Sequence, residues 1–324
     1  MEVFDLFGTD LALESKEMYD EKNNVEISGV VVDKANRGSV DITRIEITDE
    51  HGSQALGKPK GNYVTLEVPG LRNADSELKD EVSIALAEEL KKIIEFKDDL
   101  KVLVVGLGNH QITPDALGPM TVSKVKVTRQ FFLAYKKEKD ESMACVSALI
   151  PGVMGTTGIE TVEIIKGAVD KVKPDLIIAI DALAARRVER INTTIQITDS
   201  GINPGAGVGN RRLQLNSESL GARVVAIGVP TVIDSYTVVF DTIEELGQCN
   251  GDKKIGNYFN QLTQILQNNG NTVDEMLNNC SRKMIVTAND IDSLIQDFSQ
   301  IISNSLNVAL HPGLRLEDVN RYMN

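Results

Sequence analysis

Leu100-Lys-Val-Leu-Val-Val-Gly-Leu-Gly-Asn-His-Gln-Ile-Thr-Pro-Asp-Ala-Leu-Gly-Pro119 is the stretch on which the reading of the fold turns. Its first third is a β-branched apolar run with no alternation, the pattern of a strand buried on both faces in a parallel sheet. The run ends in Gly106-Leu-Gly-Asn109, and a polar loop then delivers one carboxylate, Asp115. A second such run, Asp175-Leu-Ile-Ile-Ala-Ile180, ends on another carboxylate, Asp181. In open α/β sheets ligands bind in the crevice beyond the strand C-termini. Two carboxylates delivered to one such crevice are the leading candidates for chemistry.

Outward from this stretch, 25–33 and 40–48 are β-rich and rejoin across 35–39, which reads as a hairpin with a loop longer than two residues. Tyr63 to Val68 reads as a strand, and 76–96 has helical spacing of apolar residues. A helix is expected over 120–135 with Pro119 in its first turn. The strand Ala144 to Ile150 leads through Pro151-Gly-Val-Met-Gly155 to Thr157-Gly-Ile-Glu160, a capping-box pattern opening a helix to Lys173. Pro174 stops that helix and the Asp181 strand follows, completing a βαβ unit. Thr193 to Thr198 and Arg223 to Val232 are further strands, and residues 199–210 form a glycine-rich loop. Residues 240–283 read as a variable insertion with little pattern from 247 on. A last helix opens at Thr287-Ala-Asn-Asp290 and sets Ile291, Leu294, Ile295, Phe298, Ile302 and Leu306 on one face. The expected fold is α/β in three layers around a mostly parallel sheet, with the N-terminal hairpin added to it.

Composition narrows the function. The net charge of −13 argues against a generic phosphate-backbone binder, since duplex affinity comes from Lys and Arg. No apolar run approaches the roughly 18 residues of a membrane span, and the acidic N-terminus lacks the basic region of a secretory signal. Three cysteines without CxxC spacing fit a reducing, cytoplasmic compartment.

Several chemistries lack their motifs. Gly106-Leu-Gly-Asn109 is half a dinucleotide fingerprint, without the third glycine that lets helix and strand pack closely. No G-x-S-x-G elbow and no H-E-x-x-H occurs, and Cys145 sits in an apolar strand as an inert thiol would. His110, five residues before Asp115, is the one histidine placed to ligate a metal beside the aspartates, so a metal-dependent peptidase is one alternative. A non-catalytic nucleotide- or protein-binding module is another. The reading that uses both acids is a pair sharing one proton: the ionised member activates water and the protonated one donates to a carbonyl or leaving group. No cofactor and no resident metal is expected. For holding substrate or an oxyanion, Arg186, Gly205, Gly207, Gly209 and Asn210 are candidates on loop chemistry.

Thr113-Pro-Asp-Ala-Leu-Gly-Pro119, Pro151-Gly-Val-Met-Gly155, Ile178-Ala-Ile-Asp-Ala-Leu-Ala-Ala-Arg186, Asp199-Ser-Gly-Ile202, Gly207-Val-Gly-Asn210, Val229-Pro-Thr-Val232 and Asn307-Val-Ala-Leu-His311 together resemble the spore germination protease family. The likeness runs from about Thr9 to His311. It implies an atypical aspartic endopeptidase that starts the degradation of small acid-soluble spore proteins in the cytoplasm of the spore core. It further implies a homotetramer, a fold similar to that of hydrogenase maturation proteases, and catalytic aspartates at Asp115 and Asp181. The family is made as a zymogen that cleaves its own N-terminus, and Thr9-Asp-Leu-Ala-Leu-Glu14 resembles that processing site and the acidic recognition sequence of the substrates. The carry-over places the cut between Asp10 and Leu11, leaving 1–10 as propeptide and 11–324 as one peptidase domain. Composition alone would make this terminus a mobile arm.

Overall fold

A computed structural model describes residues 9–23, 26–134, 142–205, 213–248, 253–268 and 284–321. Within them one sheet contains β1 (Val30–Arg37), β2 (Val40–Ile47), β3 (Gly61–Glu67), β4 (Lys101–Gly106), β5 (Cys145–Leu149), β6 (Leu176–Ala185), β7 (Thr194–Thr198), β8 (Arg223–Asp234) and β9 (Ile285–Thr287). The spatial order is β1-β2-β3-β7-β8-β6-β4-β5, and β9 joins β8. The helices are α1 (Ala12–Asn23), α2 (Glu50–Leu56), α3 (Ser76–Ile94), α4 (Leu117–Val122), α5 (Arg129–Ala134), α6 (Met154–Thr157), α7 (Thr161–Val172), α8 (Ser217–Leu220), α9 (Ser235–Gln248), α10 (Lys253–Asn268), α11 (Ile291–Leu310) and α12 (Leu316–Arg321).

The sheet is mixed rather than mostly parallel. β5, β4, β6 and β8 pair in parallel, while β1, β2, β3, β7 and β9 all pair antiparallel. Parallel neighbours need crossovers long enough to return the chain, and α7 lies on one between β5 and β6. Among the antiparallel pairs β1–β2 closes on a tight turn, whereas β3–β7 and β8–β9 join segments far apart in sequence. The N-terminal hairpin closes on Gly38 and Ser39 alone, with Arg37 opposite Val40, so its loop is shorter than the spacing suggests.

Strand alternation sorts the side chains to two faces. Val102, Val104, Ile178, Ile180, Val225 and Ile227 pack with α3 and α11. Leu103, Val105, Ile177 and Val224 pack with α7 on the other face. In the antiparallel half, Ile45, Ile47 and Tyr63 bury Ala12 and Leu13 of α1. The apolar stripe expected on the last helix is buried throughout. The 76–94 helix starts where Asp75 accepts the Leu78 N–H at 2.9 Å.

Three local expectations change. The 120–135 helix is broken into α4 and α5. Between them the Lys126 N–H donates to Asn307 Oδ1 at 2.8 Å and Thr128 bonds with Ala144 and Val146, so these groups satisfy tertiary partners instead of a helix ladder. Thr157 closes the short helix α6 rather than capping α7. The strand carrying Asp181 also runs on to Ala185, five residues past β4's last partner at Ile180.

That overhang is crossed by the chain leaving β4. The Leu107 N–H donates to the Ile180 carbonyl at 2.8 Å. A Cβ at Gly118 would stand 2.3 Å from the Leu107 carbonyl oxygen and 2.5 Å from that of Ile180. Both obstacles are backbone, so they cannot swing aside. Gly118→Ala is expected to lower stability by about 1–3 kcal/mol, the usual range for overpacking. Urea unfolding measures it, and an unchanged midpoint and slope would contradict the close approach.

Candidate active site

Asp115 reaches the C-terminal end of the parallel strands through a tight turn. Gly108 takes φ +102°, open in practice only to glycine, and a Cβ there would lie 2.1 Å from the Asp115 carbonyl oxygen. The fold back aims the Asn109 N–H at Asp115 Oδ2, 2.7 Å away. The Asp115 N–H donates to Ile112 O at 2.8 Å, and the Thr231 hydroxyl of β8 donates to the Pro114 carbonyl at 2.8 Å. The carboxylate is therefore held by main chain, and the loop that carries it is tied to β8.

Asp181 lies within β6 and is 5% exposed. Its Oδ1 accepts the Ala182 N–H at 3.0 Å. Asp115 and Asp181 line one cavity of about 390 Å³, together with Pro204, Gly205 and Asp10. The structure thus brings together the two acids that the sequence singled out, and adds the residue of the expected cleavage site. Two carboxylates in one confined space can divide acid and base work between them.

The segment from Thr9 to Glu14 is docked rather than loose. The Asp10 N–H donates to the Ala184 carbonyl at 3.1 Å, and Asp10 Oδ2 accepts the Ala184 N–H at 2.9 Å. The Asp10 carbonyl accepts from Gln196 Nε2 at 3.1 Å, and the Ala12 N–H donates to Gln196 Oε1 at 2.7 Å. Lys58 Nζ donates to the Thr9 carbonyl at 2.7 Å. Leu11 and Ala12 are fully buried. Glu14 is buried too, and accepts the Arg186 and Arg187 N–H groups at 2.7 and 2.9 Å as well as the Thr9 hydroxyl. Burial pushes the Glu14 carboxyl above its ordinary range, while those hydrogen bonds pull the other way. Burial likewise lowers the Lys58 ammonium, opposed by the charges of Asp10 and Glu14.

Other expected site residues fall differently. The Arg186 guanidinium pairs with Asp241 at 2.7 Å and stacks 5.8 Å from the Phe240 ring centroid, so its backbone N–H is the group that meets the docked segment. Gly205 lines the cavity of the two acids. Gly207, Gly209 and Asn210 lie outside the described residues. His110 is exposed and lines a neighbouring cavity with Met120 and Ile150 instead. No cluster of three His, Cys, Asp or Glu with metal-ligand placement occurs among the described residues. Cys145 is half-buried rather than enclosed. Gln196 and Lys58 escaped the sequence reading. The signal for Gln196 was a long amide inside Thr194-Ile-Gln-Ile-Thr198, on the polar face of an otherwise apolar alternation.

Comparison with known proteins identifies the family. A family model described as germination protease matches residues 8–254. A germination protease of Clostridium tetani is 46% identical over 322 residues, covering 98% of this chain and 99% of that protein. The Caldanaerobacter subterraneus protein of that name is 46% identical, with 97% of each chain covered. The Bacillus subtilis one is 40% identical, with 98% of this chain and 96% of that protein covered. With the match spanning most of its length, and with a cavity joining two aspartates, this chain belongs to the germination protease family and is a spore germination endopeptidase.

Proposed function

We propose that the chain is made as a zymogen, that it cleaves itself between Asp10 and Leu11 with Asp115 and Asp181, and that the mature peptidase then opens small acid-soluble spore proteins in the spore core. The observation that carries this reading is Asp10 in the cavity of the two acids, with its backbone held on both sides. The ionised aspartate takes a proton from water, whose oxygen attacks the Asp10 carbonyl carbon. The protonated aspartate gives its proton to the Leu11 nitrogen as the C–N bond breaks.

The docked Thr9–Glu14 stretch supports the substrate class. A carboxylate four residues past the bond meets two backbone N–H groups, a seat for an acidic side chain in any peptide that follows the same path. No described helix is long and apolar enough to cross a membrane. Similarity to hydrogenase maturation proteases rests on the family resemblance and on the parallel β5-β4-β6-β8 unit. A homotetramer would cover apolar side chains such as Val31 on edge strand β1 and Phe131 on α5, both exposed in the single chain.

Three outcomes are expected. Asp115→Asn and Asp181→Asn should each fold normally yet release residues 1–10 at least about 100-fold more slowly, the low end of acid–base contributions; mass spectrometry against time checks this, and a wild-type rate in either would sink the pair. Asp10→Ala loses the Ala184 contact and should process poorly with its melting curve unchanged, whereas normal release would move the cleavage site elsewhere. The third concerns pH. Because docking raises the Glu14 pKa above its ordinary 4.5, the docked segment binds the proton more tightly than the free one. Docking therefore strengthens as pH falls from above the docked value and levels off below 4.5. Processing should accelerate on acidification, and Glu14→Gln should flatten that part of the profile; an unaltered profile in the variant would remove Glu14 from the response.

A further inference from the structure

The docked segment is gripped by one side chain that the reaction scheme leaves without a task. Gln196 donates through Nε2 to the Asp10 carbonyl and accepts the Ala12 N–H through Oε1, at 3.1 and 2.7 Å. These are the carbonyl of the Asp10–Leu11 bond and the N–H of the next peptide, Leu11–Ala12. The flipped amide would set like groups against each other, so the two contacts fix its orientation.

The sheet explains why this residue is available. Asp181 on β6 pairs with Gly228 on β8, and Gly228 pairs with Gln196 on β7. Directly paired residues share a face, and here it is the face opposite the α3/α11 core. The middle member of the row has no side chain, and Leu183 lies over it, 2.5 Å from where a Cβ would stand. Gln196 itself is 5% exposed and is carried on an interior strand. Its main chain is held in the sheet and its side chain is enclosed, which limits the reorganisation needed by a group acting on developing charge.

We propose that Gln196 is a catalytic residue of this site, the donor that stabilises the oxyanion, and that it also sets the register of the substrate main chain. The proposal rests on cleavage at Asp10–Leu11 by Asp115 and Asp181. As the water oxygen bonds to the Asp10 carbon, the C=O π pair moves onto the carbonyl oxygen, where the Gln196 N–H meets it. The water proton goes to the ionised aspartate. When the pair returns to re-form C=O, the C–N bond breaks and the Leu11 nitrogen takes the proton of the other aspartate. The products are the Asp10 carboxyl and the Leu11 amine, with no change of oxidation state. The Oε1 contact to Ala12 keeps the chain from sliding by a residue, which would present a different bond.

A plain alternative is that Gln196 only caps the start of α1. The test uses the full chain and follows release of residues 1–10 by mass spectrometry across pH in wild type, Gln196→Met, Gln196→Glu and Asp181→Asn, each with its thermal unfolding curve. Gln196→Met, which removes both contacts at similar volume, should be slowed about 100- to 1,000-fold, as for loss of an oxyanion donor. Gln196→Glu keeps the acceptor for Ala12 and loses the donor when ionised. It should be slowed similarly near neutrality and regain rate relative to wild type as acid restores a proton to donate. A cap-only role predicts a wild-type rate for Gln196→Glu at neutral pH, and that result would overturn the proposal; so would a Gln196→Glu chain that gains nothing on acidification. Should Gln196→Met fail to fold, Gln196→Glu alone decides. Processing that persists in Asp181→Asn would instead overturn the aspartate pair, whatever Gln196 does.

Discussion

The site depends on one backbone-to-backbone crossing. The chain leaving β4 lies against the overhang of β6, with the Leu107 N–H on the Ile180 carbonyl and Gly118 close to both. A buried polar main chain tolerates such an approach only if its groups are paired and no side chain intervenes. Past the end of β4, β6 continues to Ala185. It presents Ala184 and then the N–H groups of Arg186 and Arg187 to the docked segment. The same crossing turns the loop back so that Asp115 faces the cavity of Asp181.

The docked segment is held by an unusual balance. Leu11, Ala12 and Leu13 supply apolar burial, but orientation comes from polar contacts to main chain, to Gln196 and to Lys58. Around it are buried or half-buried charges: Glu14, Lys58, and Arg190 paired with Glu17 and Glu67. Taking charges out of water is costly unless each is met by hydrogen bonds or a partner. Burial raises the Glu14 carboxyl and lowers the Lys58 ammonium, each opposed by its neighbours. This burial and these contacts explain why a segment that reads as a loose arm from composition is ordered here. The helix α1 begins at Ala12 and packs on Ile45, Ile47 and Tyr63.

The parallel half of the fold was legible because its strands are buried on both faces and carry unbroken apolar runs. Asp115 and Asp181 stood out as the carboxylates ending those runs, and the structure places them in one cavity. The antiparallel half was legible as strands but not as topology, since the pairing of β3 with β7 joins residues over a hundred positions apart. The break between α4 and α5 was hidden for the same reason: its cause is Asn307, far along the chain. Gln196 was hidden because a single amide in a strand reads as a solvent-facing side chain until the opposing segment is in place. Arg186 was named on loop chemistry; its backbone N–H meets the docked segment while its guanidinium pairs with Asp241.

The central claim is that Asp115 and Asp181 direct a water molecule onto the Asp10 carbonyl without bonding to it themselves. One turnover of self-processing in water enriched in the heavy oxygen isotope tests this most directly. The account expects a heavy oxygen in the new Asp10 carboxyl and none in the peptides that contain Asp115 or Asp181. Label in either aspartate would mean that a carboxylate attacked the peptide to form an acyl-enzyme, and would contradict the account.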